Sequence, residues 1–211
     1  MSTAVAPART GTVLADLLPA STVSRARVRD AALVLGGAAL TGAAAQLSLP
    51  VPGSPVPVTG QTFAALLVGT ALGTRRGFLS LALYAVAGVA GVPWFAEGSS
   101  GAAMPSFGYI LGMLLAAAVV GAVARRGGDR SVLRTAGTMA LGSAVIYAVG
   151  VPYLAFALNV SLGEAAALGL VPYLVGDALK AALAMGALPT AWKLAGRHAV
   201  MDEVGIRRPV I

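Results

Sequence analysis

The chain has 211 residues, 57% of them hydrophobic and only 11% charged, with a formal net charge of +7. A soluble domain carries about 25% charged residues, so most of this surface faces something other than water, as the mean hydropathy of +0.83 also indicates. With no cysteine, disulfides, thiolate catalysis, zinc–thiolate sites and iron–sulfur clusters are excluded. The basic residues lie between apolar segments, a pattern of membrane orientation rather than of nucleic-acid binding.

Residues 1–29 read as a polar cytoplasmic tail ending in Arg25, Arg27 and Arg29. The short apolar run near Asp16 does not fit a cleaved signal peptide. A transmembrane substrate-binding domain is expected over residues 30–193, and a second cytoplasmic tail over 194–211. No charge occurs from Ala31 to Thr74, too long a stretch for one span, and four prolines between Leu49 and Thr59 divide it. Proline lacks the backbone donor and ends helices. The first span is therefore placed at Ala31–Leu47 and the second at Gln61–Leu72. The second is short for a bilayer that needs about 20 residues, so the Pro-rich loop is expected to fold into the mouth of the protein.

Gly73–Arg76 reads as a tight basic turn and Gly77–Gly91 as the third span. A Gly/Ser/Pro loop at Val92–Gly108 precedes a fourth span at Tyr109–Ala124. Arg125–Arg134 forms a basic loop, Thr138–Leu158 the fifth span, and Asn159, Ser161 and Glu164 a short polar link. The sixth span is placed at Ala166–Ala191. Of fifteen Lys and Arg, every one but Lys180 falls in the tails or the even-numbered loops, and the odd-numbered loops carry only Glu97 and Glu164. The positive-inside rule then puts both termini in the cytoplasm. The expected fold is an all-α integral membrane protein of six transmembrane helices. Residues 31–110 and 111–193 show no inverted repeat, which weighs against a carrier built from inverted halves.

One charged pair lies within a span. Asp177 and Lys180 are three residues apart in the sixth, so they share a helix face with Tyr173, Gly176 and Ala184. A charge at the centre of a membrane helix costs roughly 2.5–3.5 kcal/mol, and such residues are functional candidates by default. At 1.5 Å per residue from Ala166, Asp177 lies roughly 16 Å deep, near the midplane. A solute site, an internal salt bridge that fixes packing, and a proton or ion relay are all compatible with the pair. Carboxylate and ammonium together offer acceptors for ligand N–H groups and donors for a ligand oxygen.

Other candidates have plainer readings beside the functional one. Glu97 is either solvated or turned into the pocket. Gln61 either caps the second span, with Thr59, or contacts ligand. Tyr109 is an interface anchor or a pocket wall, and Trp94 reads first as an interface residue. Small-x-x-x-small spacings such as Ala32/Gly36 and Ala39/Ala43 let helix backbones approach, within this chain or with a partner. Enzyme chemistry finds no support. The sole histidine, His198, lies in the C-terminal tail, and no metal-ligand cluster, cofactor motif or phosphate-binding Gly loop occurs. If solute movement needs ATP, another subunit must supply it.

Four stretches together resemble the BioY family, the biotin-specific S components of energy-coupling factor (ECF) transporters. They are Pro55-Val-Pro-Val-Thr-Gly-Gln-Thr62, Tyr84-Ala-Val-Ala-Gly-Val-Ala-Gly-Val-Pro-Trp-Phe95, Phe107-Gly-Tyr-Ile-Leu-Gly112 and Pro172-Tyr-Leu-Val-Gly-Asp-Ala-Leu-Lys180. The resemblance spans Ala31 to Ala191. It implies a six-helix protein of the bacterial plasma membrane, embedded in the lipid bilayer, that binds biotin from its outer face and partners a transmembrane coupling subunit and ABC-type ATPases. It puts biotin contacts on Asp177 and Lys180 and the coupling-subunit docking surface on the first helix, where Ala32 and Gly36 fit. Glu97 stands where the family often offers an amide, and Pro105-Ser-Phe-Gly-Tyr109 replaces a common Pro-Thr-Gly-Gly-Tyr. Another vitamin, such as thiamin or riboflavin, wants more stacking rings than two Trp and five Tyr supply. A proton- or ion-coupled carrier using Asp177 and Lys180 is the alternative of a different class.

Overall fold

The computed structural model describes residues 11–18 and 20–203, so Arg9, Arg207 and Arg208 lie outside the described residues. The fold is almost wholly helical: α1 Val23–Ala45, α2 Gln61–Val89, α3 Phe107–Arg125, α4 Val132–Leu158, α5 Leu162–Gly169 and α6 Leu174–Glu203. Among the described residues four stretches are long and apolar enough to cross a membrane: Val23–Ala45, Phe107–Arg125, Val132–Leu158 and the run Leu162–Ala195 that spans α5 and most of α6.

α2 is one helix only in name. At 1.5 Å per residue a straight helix would hold Gln61 and Tyr84 about 34 Å apart, yet the Tyr84 hydroxyl donates to Gln61 Oε1 at 2.9 Å. The chain doubles back at Gly73, whose φ of 81° and ψ of 175° lie outside helical space and are open to a residue without Cβ. The arms, 61–72 and 74–89, are the two short spans expected on either side of the basic turn. Small residues let them touch. A Cβ on Gly77 would sit 2.8 Å from Gly69 Cα, and one on Gly69 would sit 2.6 Å from Ala117 Cα of α3. Such close backbone approach is how helices gain packing in lipid, where apolar burial gives no advantage. The hairpin accordingly packs most extensively on α3, α3 on α4, and α1 on the hairpin, while α6 leans chiefly on α4.

Helix ends differ from the expected spans in four main places. α4 starts at Val132, six residues before Thr138 and inside the expected basic loop, because Ser131 accepts the Arg134 N–H. α1 starts eight residues before Ala31, inside the expected tail, because Thr22 accepts the Arg25 N–H as an N-cap. The sixth span is split, since Pro172 lacks a donor and a 3-10 turn, Val171–Tyr173, separates α5 from α6. α6 then continues past Ala191 through Pro189 to Glu203, so the first part of the expected C-terminal tail is helical.

Two ends of the bundle follow. At the loop end, β1 (Ser48–Leu49) pairs antiparallel with β2 (Val58–Thr59), Ser48 opposite Thr59 and Leu49 opposite Val58. This ladder pinches the Pro-rich segment 50–57 into a tight flap. At the turn end, residues 11–17 run beneath the helices with Val13 fully buried. Asp16 meets Arg76 at 2.8 Å and Arg125 at 3.7 Å, and Asp30 meets Arg76 at 3.1 Å. In the α3–α4 loop, buried Asp129 accepts from Trp192 Nε1 of α6 at 2.7 Å, and Arg130 lies 4.6 Å over that indole.

Candidate solute-binding site

The loop end holds a cavity of about 590 Å³, its mouth included, whose walls come from the flap, the start of the hairpin's first arm, the loop before α3, α3, α4, the α5–α6 break and α6. Of the residues expected at a site, Gln61, Tyr109, Tyr173, Asp177 and Lys180 all line it.

Asp177 and Lys180 form an ion pair, Nζ to Oδ1 3.3 Å, with both side chains more than four-fifths buried. Each charge has a further partner on another helix. The Tyr147 hydroxyl of α4 donates a short hydrogen bond to Asp177 Oδ2. Lys180 Nζ donates to Thr62 Oγ1 of the hairpin at 2.8 Å. A buried charge is tolerable only when paired and hydrogen-bonded, and here three elements share that task. The ammonium has three donors, so one is left for a ligand, and each carboxylate oxygen keeps a lone pair.

The remaining polar groups are oriented by bonds that turn something else toward the cavity. Tyr84 donates to Gln61 Oε1 at 2.9 Å, which directs the amide's N–H donors away from that contact. Gln61 does not cap its helix: the N-cap is Gly60, with no side-chain cap bond. Tyr109 is a buried pocket wall, its hydroxyl donating to Gly169 O at 2.8 Å. The α5–α6 break makes that bond possible, since a Cβ on Gly169 would sit 2.0 Å from the same hydroxyl. Tyr173 reaches the flap instead, donating to Val56 O and pairing with Ser54 Oγ at 2.9 Å. Trp94 is half-buried, its Nε1 donating to Tyr84 O at 3.0 Å and its ring 5.2 Å from that of Tyr84. It braces the loop rather than standing free at an interface.

Glu97 is not brought in. It is exposed, at φ 59°, and its neighbour Ala96 lines the cavity in its place. Ala32 and Gly36 lie far along α1 on an exposed face with Ala39 and Ala43, and a Cβ on Gly36 would meet nothing within 4 Å. Those four do not serve packing within the chain; the glycines and alanines that do are Gly37, Ala38, Gly42 and Ala45. The sequence does not single out Tyr147, though Ser143 and Tyr147, four apart in the apolar run Met139–Pro152 of α4, mark one polar face. Thr62 was read only as part of a helix start.

A membrane-type helical bundle that closes a polar, ion-paired cavity at one end defines a protein that binds a small solute within the membrane. The chain belongs to the BioY family, whose profile it matches over residues 18–197. It is 36% identical over 162 residues to the "Probable biotin transporter BioY" of Pyrococcus horikoshii, covering 75% of this chain and 93% of that one. It is 34% identical over 137 residues to the "Biotin transporter BioY" of Thermotoga maritima, 64% of this chain and 79% of that one. Its fold is similar to the crystal structure of the S-component for biotin from an ECF-type ABC transporter, with a TM-score of 0.73 at 22% identity, covering 82% of this chain and 95% of that one.

Proposed function

We propose that the chain is the membrane-embedded biotin-binding subunit of an ECF-type uptake system, a transport subunit and not an enzyme. The carrying observation is the Asp177–Lys180 pair, held at 3.3 Å inside the cavity by Tyr147 and Thr62. Biotin presents two ureido N–H donors, one ureido oxygen and a carboxylate. Asp177 is positioned to accept a ureido N–H and Lys180 to donate to the ureido oxygen or the carboxylate, with Gln61, Tyr109 and Tyr173 as the surrounding contacts.

In this reading the hairpin arms are the second and third of six spans, the longer helices supply the other four, and both termini are cytoplasmic. The arms and α1, α3, α4 and α6 account for six crossings, and the distribution of Lys and Arg supports the orientation. The loop end then faces outward and the turn end the cytoplasm of a bacterial cell. The exposed Ala32, Gly36, Ala39, Ala43 stripe on α1 docks a transmembrane coupling subunit, which joins ABC-type ATPases that supply the energy.

Titration calorimetry of the purified protein tests the solute. Tight binding of biotin, with none of thiamin or riboflavin, supports the reading. No binding of any vitamin, together with proton-dependent flux in liposomes, replaces it with an ion-coupled carrier. For the partner surface, Gly36→Trp should leave biotin binding intact and abolish co-purification with the coupling subunit; retained co-purification removes that stripe from the interface.

A further inference from the structure

The turn end carries a basic cleft that the solute site does not use. It opens between the hairpin turn and the last turn of α3, holds about 890 Å³ with its mouth included, and is bordered by Gly11, Thr74, Ala122, Arg125 and Arg126. Two arginines and a threonine line it, and among the described residues no Asp or Glu does. The nearby acid is shared: Asp16 pairs with Arg76 at 2.8 Å and with Arg125 at 3.7 Å, which leaves Arg126 uncompensated. Arg125 uses NH1 on Gly11 O at 2.8 Å. Arg126 is exposed, and its guanidinium has no hydrogen-bond or ion-pair partner among the described residues. The cleft therefore presents net positive charge to a ligand, in the fork geometry that suits phosphate oxygens.

The surface leading into the cleft narrows the ligand further. On α3, Leu111 and Leu115 are exposed, 37% and 46%, and Ala118 and Ala122 are half-buried. Spacings of four, three, four and four residues keep these and Arg126 on one helix face. That face is apolar for about 16 Å, from Leu111 to Ala122, and becomes cationic at the helix end. A free inorganic anion has no use for the apolar part, whereas an acyl chain fits it.

Given the membrane orientation proposed above, we infer that this cleft seats the phosphate headgroup of an anionic phospholipid of the inner leaflet. The headgroup lies between Arg125, Arg126 and the Thr74 hydroxyl, and its chains lie along Leu115 and Leu111. Basic pockets between helices at the cytoplasmic surface hold such headgroups.

The test is native mass spectrometry of the full chain released from mixed phosphatidylglycerol and phosphatidylcholine nanodiscs, with biotin binding measured on the same samples. The expected result is preferential retention of one phosphatidylglycerol, weakened about fivefold in Arg126→Gln and also weakened in Thr74→Val. Arg134→Gln, an exposed arginine of α4 outside the cleft, should retain lipid like the parent. Equal retention in Arg126→Gln and the parent overturns the site, as does equal loss in Arg134→Gln, which is diffuse attraction. Displacement of the lipid by millimolar inorganic phosphate overturns the lipid assignment in favour of a free-anion site. Because biotin binding is read separately, its absence with lipid retention intact would count against the proposed solute and not against the cleft.

Discussion

At the loop end one acid meets one base. Asp177 and Lys180 are balanced in charge, buried, and each steadied by a hydroxyl from another helix. At the turn end the arrangement is lopsided: Arg76 serves both Asp16 and Asp30, Arg125 stands near Asp16, and Arg75, Arg126 and Arg134 are exposed. The two networks use the same chemical groups but differ in what losing a partner does. Removing one member of a buried pair strands a charge away from water and costs about 3–5 kcal/mol. Arg76 and Asp16 are about as buried, their side chains 13% and 23% exposed, but Arg76 has a second acid in reserve, Asp30 at 3.1 Å. Redundancy, rather than burial or the number of ion pairs, separates the two networks.

The largest expected effect is at the loop end. Asp177→Asn should weaken biotin binding by about 1.5–3 kcal/mol, the worth of a hydrogen bond to a charged group, or roughly ten- to a hundredfold, and Lys180→Met should do comparable damage. Calorimetry on samples first shown to be monodisperse checks this; parent-like affinity in both folded variants would make the pair purely structural. Tyr147→Phe comes next. It removes only the donor to Asp177 Oδ2, so affinity should drop by about 1.5 kcal/mol, near tenfold. An unchanged Kd would show that the phenol does not position the carboxylate.

At the turn end, Asp16→Asn leaves Arg76 its second acid, Asp30, so it should lower thermal stability by less than the loss of a loop-end partner and leave the biotin Kd unaltered. A loss as large would put this network on the same footing as the loop-end pair. The smallest expected effect belongs to Asp129. Burial pushes its carboxyl above the ordinary 3.8, against the opposing Trp192 hydrogen bond and Arg130 charge. A raised folded-state value means that its contribution to stability is full below 3.8 and is lost as pH rises through the raised value. The Tm difference between the parent and Asp129→Asn should therefore be most favourable to the parent in acid and decline with increasing pH. A flat difference would show that Asp129 does not titrate as its burial requires.

The helical framework was largely legible in the sequence because charge and proline punctuate it. The break at Gly73 was visible as a basic turn, and the Pro-rich flap as a loop. The site was legible where membrane physics makes a residue conspicuous, as with Asp177 and Lys180. It was opaque where the meaning of a side chain depends on its neighbour across the bundle. Tyr147 and Thr62 are ordinary residues in their own helices and become supports only when α4 and the hairpin face α6. Gln61 looked like a helix cap for the same reason, since only the fold-back at Gly73 brings Tyr84 to its amide. Glu97 failed as a pocket residue because its backbone adopts φ 59° in a loop whose local conformation no periodicity announces.

The balance of the loop-end pair has an electrical consequence. Opposite charges three residues apart on one helix add to no net charge, so reorientation of the empty site across the membrane would move no charge through the field. A solute bearing a carboxylate changes that. Each elementary charge carried across 100 mV involves about 2.3 kcal/mol, and an inside-negative potential opposes the entry of an anion. The unloaded site would then be indifferent to voltage and the loaded one would not.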